Sequence, residues 1–308
     1  CGGIIGALRN NGLGIAGVAG GDIALNNKGV SLVTLGVQIT PEDISLTAVI
    51  NAIVKGSAYT LGNSGYACNI LNNSYEKETT DFATQDAVKF CFDNHCTFVG
   101  IRGNRYSYEN FANNTKNAYP GCNRKEWVIN VGASGNNGFH KQLSPGSING
   151  DLHFESNYGS DVDVIAPGSM DIITSCQATN TTSGGGFADG PFAGDIQYTH
   201  FNGTSAAAPH VTGLSALMLS HHKISSGYPN SLDDGDIQYL IKKYATDNGT
   251  EGQTIVGSGL INAEETMKHI DISHGYWVRH VNSMHLTGSS VSTINTGIPI
   301  SLNGFYSN

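Results

Sequence analysis

Between Phe201 and Ser220 the chain reads Phe-Asn-Gly-Thr-Ser-Ala-Ala-Ala-Pro-His-Val-Thr-Gly and then stays largely apolar, and this stretch limits the fold more than any other. From Ser205 onward apolar residues fall on nearly every side of a helix, so the helix is buried in a core rather than laid along a surface. A buried helix needs other elements around it. The 308 residues are enough to supply them, as one large domain or two ordinary ones.

The surrounding sequence predicts those elements as an alternation. Val30 to Val37 reads as a buried strand, and Leu46, Val49, Ile50 and Ile53 then recur at i, i+3, i+4 and i+7 on one helix face. Cys68 to Asn73 reads as the next strand. Ala83, Ala87, Phe90 and Cys91 repeat the helical spacing, and Thr97 to Ile101 and Val128 to Val131 read as further strands. The order β, α, β, α, β favours a parallel sheet in an α/β domain. Ser231 to Lys243 is predicted as a surface helix with Ile237, Leu240 and Ile241 inward and Ser231 as its N-cap. Residues 1–267 have this texture. From 268 to 308 it gives way to Ser, Thr, Val and Asn without helical periodicity, expected as an extension that begins a β domain.

Composition removes several classes of function. A net charge of -9 is spread without any basic stripe, which argues against a nucleic-acid partner. No run of 18 apolar residues is present, so no membrane span is expected. The Ser183-Gly-Gly-Gly186 run lacks the following Gly-Lys-Ser/Thr of a phosphate loop. Six cysteines are too few for a disulfide scaffold and have no zinc spacing. Cys91 and Cys96 are either bridged, if their Cβ atoms come within about 4 Å, or buried free thiols.

Ser205 stands in the first turn of the buried helix, after a tight turn at Gly203. There its own N–H and the helix dipole face any negative charge that forms beside it, which suits a nucleophile whose attack creates an oxyanion. A serine in that place is also an ordinary helix cap. The neighbouring residues decide between the two: Gly203-Thr-Ser-Ala-Ala-Ala-Pro-His210 resembles the nucleophile motif of the subtilisin-like serine proteases. Further segments match that family in its order. They are Val99-Gly-Ile-Arg-Gly-Asn104, Tyr119-Pro-Gly with Val128-Ile-Asn-Val-Gly-Ala133, Phe154-Glu-Ser-Asn-Tyr-Gly with Asp163-Val-Ile-Ala-Pro-Gly168, and Gly257-Ser-Gly-Leu-Ile-Asn-Ala263.

The resemblance implies a three-layer α/β fold with a mainly parallel sheet, incomplete at its N-terminus, and a serine endopeptidase that works through an acyl-enzyme on Ser205. It assigns Asn104 the second oxyanion donor. Ser74, Tyr75 and Gly103 fall on segments that bind the substrate backbone and wall its pocket. Glu76, where most relatives carry glycine, and Arg102, where they carry a smaller residue, depart from the pattern. Cys1-Gly-Gly-Ile-Ile-Gly-Ala-Leu and Gly14-Ile-Ala-Gly-Val-Ala19 resemble the segment just after the family's catalytic histidine. The catalytic His and Asp are therefore expected upstream of residue 1, and the 308 residues alone are expected to be inactive. His210 lies five residues past Ser205, about 140° around the helix, and cannot serve instead.

The same resemblance implies a secreted or cell-surface protein, a protein or peptide substrate, and no cofactor for the chemistry. Structural calcium is an expectation for Arg9 to Gly14, although that loop has no carboxylate and hard cations want six or more oxygens. The alternative to a protease is a non-catalytic homologue that binds peptides in the same cleft. An α/β-hydrolase is disfavoured, since neither Gly62-Asn-Ser-Gly65 nor Gly132-Ala-Ser-Gly135 completes that fold's Gly-x-Ser-x-Gly elbow.

Overall fold

The structure is a computed structural model that describes residues 1–40, 43–57, 68–76, 81–104, 120–121, 126–141, 154–169, 172–175, 198–225, 232–247, 249 and 251–270. The N-terminal part holds α1 (Gly2–Gly6), a β1 (Gly20–Asp22) and β2 (Asn27–Gly29) hairpin, a β3 (Gln38–Thr40) and β4 (Asp43–Ile44) pair, and α2 (Leu46–Ser57). Then come β5 (Ile70–Asn73), α3 (Phe82–Asp93), β6 (Thr97–Ile101), β7 (Ile129–Ser134) and β8 (Val164–Pro167). An antiparallel pair follows, β9 (Ile173–Ser175) with β10 (Tyr198–His200), and then α4 (Thr204–Ser225), α5 (Asp234–Lys243), α6 (Gln253–Val256) and α7 (Ala263–Lys268).

The central sheet has the order β5-β6-β7-β8, all parallel. Strand alternation divides its side chains between two cores. Val99, Ile101, Val131 and Val164 face α4 and α5, packing on Ala207, Val211, Leu214, Ile237 and Ile241. Phe98 and Val128 face α2 and α3, packing on Val49, Ile53, Ala87, Val88 and Cys91. The result is the three-layer α/β architecture expected, with α4 buried as its apolar sequence requires.

Several local expectations are corrected. Residues 30 to 37 form no strand, and Leu32 and Val33 are 51% and 44% exposed. A strand is held by its ladder of hydrogen bonds, and among the described residues no strand pairs with this segment. The inward stripe of α3 is Thr84, Ala87, Val88 and Cys91, leaving Phe90 exposed, so the face is turned by about one position from the one expected. Helix α5 begins later than predicted and is capped by Asp233, whose side chain accepts from the Asp236 N–H in a reciprocal capping box. Ser231 lies outside the described residues. Cys91 and Cys96 are buried free thiols, the Cys91 Sγ donating to the Cys96 carbonyl at 3.1 Å. The expectation of a separate extension from 268 falls almost wholly outside the described residues, which end at Ile270.

Candidate active site

The first turn of α4 meets the C-terminal ends of β5 and β6, where parallel sheets collect their functional groups. Gly203 makes the entry. Its φ of +87° is a conformation that side chains rarely adopt, and a Cβ there would stand 3.0 Å from the Asn104 amide. Glycine thus serves both the turn and the close approach of Asn104.

Asn104 follows β6 and is tied to Thr204, the residue before Ser205. The Thr204 N–H donates to Asn104 Oδ1 at 2.7 Å and the Thr204 hydroxyl donates to the same oxygen at 3.0 Å. With the oxygen end of the amide held twice, its NH2 end is the one left to face outward. The Ser205 N–H lies in the first turn, where a helix offers no internal acceptor. Asn104, from the end of β6, is thus held against the first turn of α4, one residue from Ser205.

Ser205 itself is half-buried, and its hydroxyl donates to the Ser74 carbonyl at 3.2 Å. Cys1 comes close, its thiol 3.8 Å from the Ser205 carbonyl. Among the described residues no histidine bonds to Ser205 Oγ. His210 is turned away, its Nδ1–H donating to the Ala206 carbonyl at 2.8 Å, and burial lowers its pKa. His140 is buried with Nε2 on the Ser156 carbonyl, and desolvation lowers its pKa too.

The remaining expected site residues are placed as follows. Ser74 touches Ser205 directly. Tyr75 turns its ring into the core between α2 and α3, and burial, then the nearby Asp81 carboxylate, push its phenol above the usual range. Its carbonyl accepts from Asn73 Nδ2 at 3.1 Å. Gly103 has both backbone groups engaged: its N–H donates to Thr204 Oγ1 at 3.2 Å and its carbonyl accepts from the Asn157 N–H at 2.9 Å. Gly103 therefore has no free backbone group to pair with a substrate strand, and its φ of +101° is one that side chains rarely adopt. Arg102, 1% exposed, runs away from solvent, donating to the Tyr158 carbonyl at 2.9 Å. In the N-terminal loop Asp22 already accepts from Asn10 at 2.7 Å and pairs with Arg9 at 3.2 Å. That leaves one neutralised carboxylate, a poor fit for calcium.

Thr204 and Asn157 escaped the sequence reading. Thr204 was visible inside the Gly203-Thr-Ser motif, and asking what satisfies its N–H would have singled it out. Asn157 had no such signal, because its partners lie about 55 residues away: Nδ2 donates to the Arg102 carbonyl at 3.1 Å.

A family model described as the subtilase family, peptidase S8, matches residues 1–259. An extracellular protease of Xanthomonas campestris pv. campestris is 27% identical across 85% of this chain and 38% of its own length. Subtilisin DY of Bacillus licheniformis is 28% identical across 80% of this chain and 74% of its own. The chain thus spans under two fifths of the Xanthomonas relative. Among solved structures, a protease of Pseudoalteromonas arctica superposes with a TM-score of 0.61 at 25% identity, covering 87% of this chain and 69% of that one. Fervidolysin of Fervidobacterium pennivorans superposes with a TM-score of 0.59 at 21% identity over 86% of this chain and 35% of that one, a likeness of fold.

Proposed function

The chain belongs to the subtilase family, and from that premise we propose that its full-length protein is a serine endopeptidase with Ser205 as nucleophile. The carrying observation is the Thr204 clamp on Asn104 Oδ1, which occupies the oxygen end of the amide next to Ser205 and supports Nδ2 as the oxyanion donor. Ser205 Oγ attacks the scissile carbonyl and gives its proton to a base. The oxyanion is held by the Ser205 N–H and Asn104 Nδ2. Collapse forms the acyl ester and releases the amine, which takes the proton, and water then hydrolyses the ester. The base and its orienting carboxylate are a histidine and an aspartate contributed from sequence ahead of Cys1. The substrate is a protein or peptide whose backbone lies along the segment from Ser74, and the chemistry uses side chains and backbone alone. Export fits a relative named as an extracellular protease.

The test uses the protein expressed from its complete gene. A fluorophosphonate should label Ser205, and Ser205→Ala should abolish both labelling and peptide hydrolysis. Hydrolysis that survives Ser205→Ala would sink the proposal. Peptide binding without labelling would instead favour the non-catalytic homologue.

A further inference from the structure

We propose that Asn72 and Thr212 are positioning residues for the nucleophile, acting through Ser74, because the three form one hydrogen-bonded chain that ends on the Ser205 carbonyl. The proposal rests on Ser205 being the nucleophile.

Its origin is Pro209. In a helix the Ser205 carbonyl would accept from the N–H four residues on, and proline has none, so the carbonyl at the nucleophile is left without its helical donor. An orphaned carbonyl in the interior needs another partner. Ser74 supplies it, its hydroxyl donating to the Ser205 carbonyl at 3.0 Å, with the Cys1 thiol a longer and weaker second donor at 3.8 Å. The Ser205 hydroxyl donates back to the Ser74 carbonyl, so the end of β5 and the first turn of α4 are clasped by two opposed bonds.

A serine hydroxyl rotates freely, and the clasp holds only while the Ser74 proton points at Ser205. Asn72 Nδ2 donates to Ser74 Oγ at 2.9 Å, which uses one lone pair and leaves the proton for the Ser205 carbonyl. This works with only one of the two orientations of the Asn72 amide. Thr212, 5% exposed on α4, selects it: its hydroxyl lies 2.9 Å from Asn72 Oδ1 and donates to that oxygen. The same hydroxyl is 3.1 Å from the Ala208 carbonyl, so its proton is shared between the two acceptors. The chain of bonds leaves α4 at Thr212 and returns to it at Ser205, two turns earlier. It fixes the peptide group that carries the nucleophile, without a contact to any substrate.

The consequence is a loss in kcat with KM little changed. In the protein from the complete gene, Thr212→Val, which keeps the shape and removes the hydroxyl, should lower kcat about 3- to 10-fold, the scale of one buried hydrogen bond. Thr212→Ser should restore it to within about twofold. Asn72→Asp, which can only accept from Ser74, should draw the Ser74 proton off Ser205 and match the loss. In a Ser74→Ala background Thr212→Val should have no further effect. An unchanged kcat in Thr212→Val, or an equal loss in the Ser74→Ala background, overturns the proposal. A crystal structure of Thr212→Val that keeps the Ser74 hydroxyl on the Ser205 carbonyl overturns it too, with or without turnover. Hydrolysis that persists in Ser205→Ala strikes the function instead and leaves this structural test standing.

Discussion

The Thr204 N–H donates to Asn104 Oδ1 at 2.7 Å across 100 residues of sequence, so the residue beside Ser205, the proposed nucleophile, fixes which end of the Asn104 amide is held and which is left to donate. An acceptor gripped by a backbone N–H and a hydroxyl cannot rotate to exchange its oxygen for its nitrogen without losing both bonds.

Asn104→Ala is therefore expected to lower kcat by about 10² to 10³ with KM little changed, the magnitude known for removing one such donor from a subtilisin. Asn104→Asp separates anchor from donor: it can still accept from Thr204 but presents no N–H, and should lose as much as alanine. Steady-state kinetics of both variants of the full-length protein check this. An aspartate variant with near-normal kcat would show that the anchor, and not the donor, matters.

Stability away from the cleft depends on Asp163, a fully buried carboxylate ahead of β8. It accepts from Lys242 Nζ at 2.6 Å and from the Asn130 N–H at 2.9 Å, joining β7 and α5. Lys242→Met leaves that charge buried without its cation, and we expect a loss of about 3 kcal/mol or more in urea unfolding. A loss under about 1 kcal/mol would mean that backbone and amide donors suffice to hold the carboxylate.

Asp236 gives a pH dependence of definite sign. Burial first and the Asp233 carboxylate second push its carboxyl up from 3.8 to about 7. Between those values the native state keeps a proton that the unfolded chain has released, so this group's contribution to stability falls as pH rises through the window and is lost above it. Asp236→Asn can retain an acceptor for the Asp233 N–H and should remove the effect. The difference in Tm between variant and parent, followed from pH 4 to 8.5, should move in the variant's favour as pH rises. His140 and His210, whose pKa burial lowers, titrate alike in both proteins and cancel in the difference. A flat difference would refute the assignment.

Legibility followed the range of the interactions. Helix α4 and strands β6 and β7 were readable because burial writes itself into local runs: Ala206, Val211 and Leu214 for the helix, Phe98 and Val99 for the strand. Ser205 and Asn104 could be picked out by motif, and the structure brings both to one helix turn. The Asn72, Ser74 and Thr212 chain was not readable, since its bonds span 140 residues between polar side chains with no pattern of their own. The segment from Val30 to Val37 failed for the opposite reason. Its local apolar pattern is that of a strand, but pairing is a property of neighbours and not of the segment.

That segment leads to the last prediction. Strand β5 is an edge, paired only with β6 among the described residues. Leu35 and Leu71 both approach Gly56 at the end of α2, which brings the segment at Leu35 near Leu71 of β5. An open edge carries a row of unpaired N–H and C=O groups, and apolar side chains beside it make it a template for another chain. Leu32 and Val33, in the same segment, are both substantially exposed and add apolar surface for such a chain to cover. Expressed as these 308 residues alone, the chain should self-associate at micromolar concentration, as read by sedimentation velocity, and bind a hydrophobic dye. Replacing Leu32 and Val33 by lysine should shift the distribution toward monomer without lowering Tm, because neither side chain is packed in the core. A parent chain that sediments as a monomer and unfolds in one sharp transition would show that this edge is protected, and that the exposed leucine and valine are not what governs association.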